Sequence, residues 1–186
     1  MSKILFIMGV SGSGHTTVVN ELLKTGKFIY VPSYTTRQMR IGEKNGEKYL
    51  FITKKEFEDC IKKGEFLEYA FVHELNYYGT KNNIIDLLDG DKIPIKEIDI
   101  HGLKKIIDGG NLKGKYQTMF FYVPEDVMIK RIVSRSPITD QELQERLKSA
   151  KSETKFAEKN CDWIIDSSGT VEETMGKVKR ELVISE

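Results

Sequence analysis

Residues 9–16 read Gly-Val-Ser-Gly-Ser-Gly-His-Thr, which is the spacing of a phosphate-binding loop: two glycines separated by four residues, one further residue and a threonine. Glycines here let successive backbone N–H groups point at a phosphate chain, and the hydroxyl of Thr16 is a candidate ligand for Mg²⁺. Glycine-rich turns also join strands to helices in proteins that bind no nucleotide. The loop therefore predicts phosphate binding, with an ordinary structural turn as the alternative.

His15 stands in this loop where a phosphate-binding lysine is expected. Imidazole is largely neutral at pH 7 and shorter than a lysine side chain, although a bound polyanion favours its protonated form. Two interpretations stay open. His15 supplies part of the missing charge when a nucleotide is bound, or it is an inert replacement in a disabled loop.

A second group of side chains suits a nucleotide, with some residues fitted to its phosphate and one to its base. Arg37 and Arg40 are two guanidinium groups three residues apart that can grip a phosphate, and the hydroxyls of Tyr49 and Tyr78 are further donors. Glu68 is an acceptor-only carboxylate that matches the two adjacent donors of guanine and leaves adenine unpaired. Taken singly, these residues would be solvated charges and core aromatics. The prediction of a nucleotide site rests on all of them together, in this order along the chain.

Later in the chain, Arg131 and Arg135 lie one turn apart on a predicted helix after Pro124, and Arg146 follows on the next helix. The alternative for each is a solvated helix surface with local salt bridges. Glu97 and Asp99 come where the predicted strand 93–98 ends, and ligands bind at such strand ends in α/β sheets.

Within that strand, Pro94 and Lys96 are unusual for a buried parallel strand and indicate an edge or a bulge.

The elements that must position these residues alternate between strand and helix, which predicts an α/β fold. A buried strand at 4–8 precedes the glycine loop, and apolar residues at helical spacing follow it. Capping boxes at Thr53, Thr139 and Thr170, each with a glutamate three residues later, predict three further helix starts. The remaining predicted strands are 28–31, 49–52, 66–72, 93–98, 119–123 and 163–165. Residues 33–80, rich in Tyr, Thr and charged residues, are predicted to form an insertion beside the sheet.

Composition narrows the function classes. The 186 residues carry 29 Lys and Arg against 28 Asp and Glu, a formal net charge of +1, which argues against nucleic-acid binding through a basic surface. Cys60 and Cys161 have no metal-ligand spacing and favour free buried thiols in a reducing cytosol. The start of the chain has the pattern of neither a signal peptide nor a membrane span, so we expect a cytoplasmic protein without a membrane partner.

Several contiguous segments resemble the guanylate kinase family. Residues 33–49 follow the pattern S-x-T-T-R-x-x-R-x-G-E-x-N-G-x-x-Y without a gap, residues 65–70 read Glu-Phe-Leu-Glu-Tyr-Ala, residues 76–80 read Asn-Tyr-Tyr-Gly-Thr, and residues 98–102 read Ile-Asp-Ile-His-Gly. The similarity runs from the first strand to the final helix. It implies a P-loop nucleoside monophosphate kinase fold with a parallel sheet core. The implied single domain 1–186 has a core (1–32, 81–123 and 155–186), a GMP-binding region (33–80) and a helical lid (124–154).

The resemblance implies transfer of the γ-phosphoryl group from ATP to GMP or dGMP, with Mg²⁺ as cofactor. The alternative is a catalytically impaired relative that binds GMP or a protein partner. The oligomeric state, monomer or homodimer, stays open. The implied ATP-binding residues are Gly9, Ser11, Gly12, Ser13, Gly14, His15, Thr16 and Thr17. The implied GMP-binding residues are Ser33, Arg37, Arg40, Tyr49, Glu68, Tyr78, Thr80, Glu97 and Asp99. The implied catalytic residues are His15, Arg37 and the lid arginines Arg131, Arg135 and Arg146, and Mg²⁺ would be held by Thr16 with Asp99 acting through water.

Two local departures from the family pattern concern loops. Residues 73–75 make the connection before Asn76 one residue longer than usual, with His73 interpreted as a loop residue rather than a ligand. Ser136 and Pro137 replace the glycine-rich turn after the lid arginine, which predicts a stiffer hinge.

Overall fold

The protein is described by a computed structural model that covers residues 3–72, 74–135 and 137–183. The predictions for His73 and Ser136 lie outside these residues. The strands are β1 (Ile4–Gly9), β2 (Phe28–Tyr30), β3 (Ser33–Thr35), β4 (Tyr49–Phe51), β5 (Phe66–Val72), β6 (Asn76–Lys81), β7 (Ile93–Glu97), β8 (Tyr116–Tyr122) and β9 (Trp163–Asp166). The helices are α1 (His15–Lys24), α2 (Lys54–Lys62), α3 (Ile100–Gly109), α4 (Glu125–Val133), α5 (Asp140–Asn160) and α6 (Val171–Glu181), with a 3₁₀ helix at Asn82–Asp89.

The larger sheet has five strands in the order β2-β7-β1-β8-β9. The pairs β2–β7 and β8–β9 are parallel, with Ile29 in register with Pro94 and Phe120 in register with Ile164. Residues 4–8 of β1 are all buried, as expected of a parallel strand covered on both faces. The α/β class and the parallel sheet core predicted from the sequence are confirmed.

The described chain divides into two compact units. The first contains residues 3–5, 26–72, 74–96 and 101–116, and the second contains residues 6–25, 97–100, 117–135 and 137–183. The predicted subdivision into core, GMP-binding region and lid stays a prediction.

The first unit carries a second, smaller sheet formed by the inserted region. Its order is β4-β3-β6-β5, and β6 pairs antiparallel with both β3 and β5. The buried ring of Phe57, on α2, stacks at 4.3 Å on Phe66 and at 5.0 Å on Tyr77, measured between ring centroids. The helix α2 begins at the predicted capping box, where Thr53 and Glu56 bond to each other's backbone N–H groups. This aromatic packing and the cap fix the sheet that presents the base-binding candidates.

The second unit contains α1, α4, α5 and α6 together with β9 and, from Gln117 onward, β8. The two other predicted capping boxes, Thr139 with Glu142 and Thr170 with Glu173, begin α5 and α6. Asp162 fixes the start of β9, because its Oδ2 accepts both the backbone N–H and the hydroxyl of the buried Thr118 on β8.

One expectation about the sheet is wrong. The edge that Pro94 and Lys96 indicate is absent, because β7 lies between β2 and β1, and its register with β2 has no bulge. Lys96 is 1% exposed, and its ammonium group donates to the backbone oxygen of Val31 (3.1 Å) and to Oγ of Ser33 (2.7 Å). An interior strand accepts this charge because the ammonium group is hydrogen-bonded.

Cys60 and Cys161 are free, as predicted, although both are half-buried rather than fully buried. Among the residues that the structure describes, no helix has the length and apolar character needed to span a membrane.

Candidate functional site

The glycine loop connects β1 to α1 in the second unit, and its glycines are required by geometry. Gly12 and Gly14 adopt left-handed φ angles of 79° and 80°, which side chains rarely tolerate. A Cβ atom on Gly9 would lie 2.6 Å from Oγ of Ser13 and 2.9 Å from the backbone oxygen of Phe121. Gly14 is the N-cap of α1 and has no side chain with which to cap it. The positive end of α1 therefore suits an anionic group.

His15 and Thr16 form a small polar cluster with Glu97. Nδ1 of His15 lies 2.8 Å from Oγ of Ser13, and Nε2 lies 3.6 Å from Oε1 of Glu97. The hydroxyl of Thr16 donates a hydrogen bond of 2.5 Å to the same oxygen. Because the hydroxyl proton is directed at Glu97, the lone pairs of Thr16 are oriented away from it and suit a cation. Glu97 thus contacts two residues of the glycine-loop segment, although the sequence placed it among the GMP-binding residues.

The three arginines predicted to belong to a lid differ in their surroundings. The guanidinium group of Arg131 donates to the backbone oxygens of Gly12 (3.2 Å), Ser167 (2.9 Å), Ser168 (3.1 Å) and Gly169 (3.3 Å). It therefore links the glycine loop to the segment between β9 and α6.

Arg135 lies one turn further along and lines a cavity of about 250 Å³ with Gly12, Ser13, Thr17 and Thr170. Arg146, on α5, reaches the glycine loop only weakly, with Nη1 3.5 Å from Oγ of Ser11.

In the first unit, Arg37 is held by a carboxylate that the sequence reasoning did not single out. Nη2 and Nη1 of Arg37 donate to the two carboxylate oxygens of Glu43 at 2.8 and 3.0 Å, and Glu43 also accepts the backbone N–H of Arg40 at 2.7 Å. These hydrogen bonds lower the pKa of Glu43 from 4.5 to about 2, and the bonds from Arg37 make the largest contribution. The same pairing raises the pKa of Arg37. The guanidinium carbon of Arg37 also lies 5.2 Å from the ring centroid of Tyr49 and 5.5 Å from that of Phe51.

The other candidates for this site lie on the small sheet and around it. The rings of Tyr49 and Tyr78 meet edge to face, with centroids 6.0 Å apart. Thr80 is fully buried and donates a hydrogen bond of 2.6 Å from its hydroxyl to Oε1 of Glu68, directly across the β5–β6 ladder. Arg40 is exposed.

Ser33 begins β3 and accepts from Lys96, as described above. Of the two remaining acidic candidates, Asp99 is exposed and Glu97 belongs to the glycine-loop cluster.

Two contributors to these clusters were missed. Glu43 lies inside the continuous segment that resembles the family, three residues after Arg40, and this spacing was a usable signal. Lys96 stands out in the sequence as a charged residue in an apolar strand, but the sequence offers no way to identify Ser33, 63 residues away, as its partner.

A parallel sheet with a glycine loop between its first strand and first helix, together with a second, smaller sheet inserted between β2 and β7, defines the fold of a P-loop nucleoside monophosphate kinase. A sequence model of the family described as guanylate kinase matches residues 1–184. The chain belongs to the guanylate kinase family.

Individual relatives agree with this assignment. Guanylate kinase of Clostridium tetani (strain Massachusetts / E88) is 40% identical over 159 residues, which cover 84% of this chain and 74% of the relative. Guanylate kinase of Clostridium perfringens (strain SM101 / Type A) is 34% identical over 184 residues, covering 97% of this chain and 82% of the relative. The crystal structure of guanylate kinase from Anaplasma phagocytophilum matches with a TM-score of 0.72 and 27% identity, over 98% of this chain and 85% of that one. The prediction of a guanylate kinase, a kinase of the transferase class, is confirmed.

Proposed function

We propose that this chain transfers the γ-phosphoryl group of ATP to GMP, giving ADP and GDP. The observation that carries the proposal is the hydrogen bond from the buried Thr80 to the half-buried Glu68, which lies in the same unit as the arginine and tyrosine cluster that suits a phosphate. The hydroxyl of Thr80 donates to Oε1 of Glu68. A carboxylate only accepts hydrogen bonds, so Glu68 matches the ring N–H and the amino group of guanine, which both donate. Adenine does not present this pair of adjacent donors to the half-buried carboxylate, so it would be rejected.

In this proposal the phosphate of GMP is bound by Arg37, Arg40, Tyr49 and Tyr78. Arg37 starts from a bidentate pair with Glu43 rather than from solvent. The pair and the two aromatic rings beside it restrict the guanidinium group to one region, which reduces the entropy lost when a phosphate binds. Ser33 completes the recognition of the base.

ATP is assigned to the glycine loop, with its phosphates at the N–H groups of residues 9–17 and at the beginning of α1. Mg²⁺ fits this place, because the hydroxyl of Thr16 already donates its proton to Glu97 and its lone pairs are oriented away from that carboxylate. The ion would be held by Thr16 and the phosphates, with Asp99 acting through water, and when bound it would neutralise charge on the transferring group.

The proposed reaction depends little on a general base. The acceptor oxygen of GMP is already anionic, so the barrier comes mainly from repulsion between two phosphate groups and from their alignment. Cationic side chains lower that repulsion. Arg37 neutralises charge on the acceptor phosphate. Arg135 and Arg146, the proposed lid arginines, are exposed and supply positive charge toward ATP. Arg131 orients the glycine loop through Gly12 in addition to carrying charge.

The alternative from the sequence, an impaired relative that binds GMP or a protein partner, is not favoured by the family match over residues 1–184. What His15 does to the rate is the finer question. We propose that His15 is compatible with catalysis because Ser13 and Glu97 hold its ring beside the glycine loop.

The two free cysteines support a reducing, cytoplasmic location.

The test is a coupled assay of ADP formation with ATP and Mg²⁺ and a panel of acceptors: GMP, dGMP, AMP and UMP. The proposal predicts turnover with GMP and dGMP and background rates with AMP and UMP. Equal rates with AMP would contradict base recognition by Glu68. No turnover with GMP at high enzyme concentration would contradict the proposed activity.

A further inference from the structure

Lys96 is a buried ammonium group beside one of the proposed base-binding residues. It lies on β7 within the first unit, is 1% exposed, and donates to Oγ of Ser33 at 2.7 Å and to the backbone oxygen of Val31 at 3.1 Å. Burying a lysine is expensive unless its N–H groups are hydrogen-bonded, and an apolar residue would fill the same space in a strand at lower cost. The position therefore calls for an explanation beyond packing.

The chemistry of the contact fixes the hydrogen-bonding role of Ser33. An ammonium group has three donors and no acceptor, so the hydroxyl of Ser33 must present a lone pair to Lys96. Its own hydrogen cannot point at Lys96 and is left to be donated elsewhere. A serine without such a neighbour can rotate and act as donor or acceptor with little preference.

We propose that Lys96 is a positioning residue for base specificity, which orients the hydroxyl of Ser33 as a hydrogen-bond donor toward the C6 oxygen of a guanine nucleotide. Guanine presents an acceptor at C6, whereas adenine presents an amino group that donates. A hydroxyl fixed as a donor distinguishes the two, and it complements Glu68, which recognises the donor side of guanine. This inference rests on the proposed role of Ser33 in GMP binding.

The test compares the affinities of GMP and 6-thio-GMP by calorimetry. The two differ only at C6, where sulfur is a much weaker acceptor than oxygen, and both keep the ring N–H and the 2-amino group. The measured quantity is the ratio of the two dissociation constants. We expect Lys96→Met to reduce the preference for GMP over 6-thio-GMP about tenfold, roughly the contribution of one hydrogen bond.

Matched variants separate positioning from a general loss of structure. Lys92→Met makes the same change at an exposed lysine four residues earlier and should leave the ratio unchanged. Lys96→Gln keeps N–H donors and should retain most of the preference. Lys96→Leu repeats the removal with a common strand residue, so that poor folding of Lys96→Met, monitored by thermal melting, does not decide the result. Ser33→Ala should lose the same preference. The double variant, which also carries Lys96→Met, should have the same ratio of dissociation constants as Ser33→Ala alone.

The inference is overturned if Lys96→Met or Lys96→Leu weakens both nucleotides equally, or if the effects of Ser33→Ala and Lys96→Met on the ratio add. Because binding is measured, these outcomes do not depend on turnover. Failure of the wild type to bind GMP at all would overturn the acceptor site itself, and with it the inference.

Discussion

Thr16 and Glu97 are joined by a hydrogen bond of 2.5 Å from the threonine hydroxyl to Oε1 of the carboxylate, across 81 residues of sequence. Nε2 of His15 lies 3.6 Å from the same oxygen. Glu97 therefore orients the proposed Mg²⁺ ligand and neighbours the residue that replaces the usual lysine. Residues that orient a metal ligand affect metal binding without touching the ion.

Glu97→Ala should raise the Mg²⁺ concentration needed for half-maximal rate by about 10–100-fold, because Thr16 loses the acceptor that orients its hydroxyl. The measurement is the initial rate against Mg²⁺ concentration at saturating ATP and GMP. Glu181→Ala, which removes an exposed carboxylate at the end of α6, is the control. An unchanged Mg²⁺ dependence in Glu97→Ala would show that the pair does not orient the ion.

His15→Lys should raise kcat. A lysine at the start of α1 brings a full charge and a longer reach to the glycine loop, and a charge-assisted hydrogen bond of about 1.5–3 kcal/mol corresponds to roughly 10–100-fold. His15→Gln, which is neutral, is the matched control and should be no faster than the wild type. A rate in His15→Lys equal to that of the wild type would remove residue 15 from the phosphate site.

Glu68→Gln should lower kcat/KM for GMP by roughly 10²–10⁴-fold, because the amide places a donor where guanine presents donors. The hydroxyl of Thr80 can still donate to the glutamine oxygen, so the melting temperature should change little. Glu47→Gln, at an exposed position of the same unit, is the control. If Glu68→Gln retained wild-type kcat/KM for GMP, the carboxylate would have no part in reading the base.

Several of these features could be predicted from the sequence because they are local. The capping boxes at Thr53, Thr139 and Thr170 each need only four consecutive residues, and all three begin helices in the structure. The glycine loop is equally local, and the left-handed φ angles of Gly12 and Gly14 follow from its spacing.

Other features depend on partners that are distant in the chain. The short strands β3 and β6 went unpredicted because their polar and aromatic residues become a sheet only by pairing with each other across about 40 residues, as Tyr34 does with Gly79. The sequence around Lys96 indicates an edge because the groups that accept its hydrogen bonds are distant in the chain: Val31 comes after β2 and Ser33 begins β3. The four carbonyl partners of Arg131 were invisible for the same reason.

Acid should selectively weaken the contribution of Glu43. Its pKa is lowered from 4.5 to about 2 by the hydrogen bonds from Arg37 and Arg40, so its contribution to stability is complete above pH 4.5 and is lost as the pH falls toward 2. The unfolding free energies of the wild type and Glu43→Gln, measured with urea, should therefore differ most at neutral pH and converge through this window. Added salt should also reduce the difference, because the pair is partly exposed. A difference that stays constant down to the acid end would mean that Arg37 does not depend on the charge of Glu43.

The central claim is that a chain with histidine in its glycine loop still transfers a phosphoryl group from ATP to GMP. The most direct measurement incubates the wild-type protein with Mg²⁺, GMP and ATP labelled in its γ-phosphate, and separates the nucleotides. The account predicts that the label moves into the β-phosphate of GDP and that none moves when AMP replaces GMP. Label that stays in ATP, or that is released only as inorganic phosphate, would contradict it.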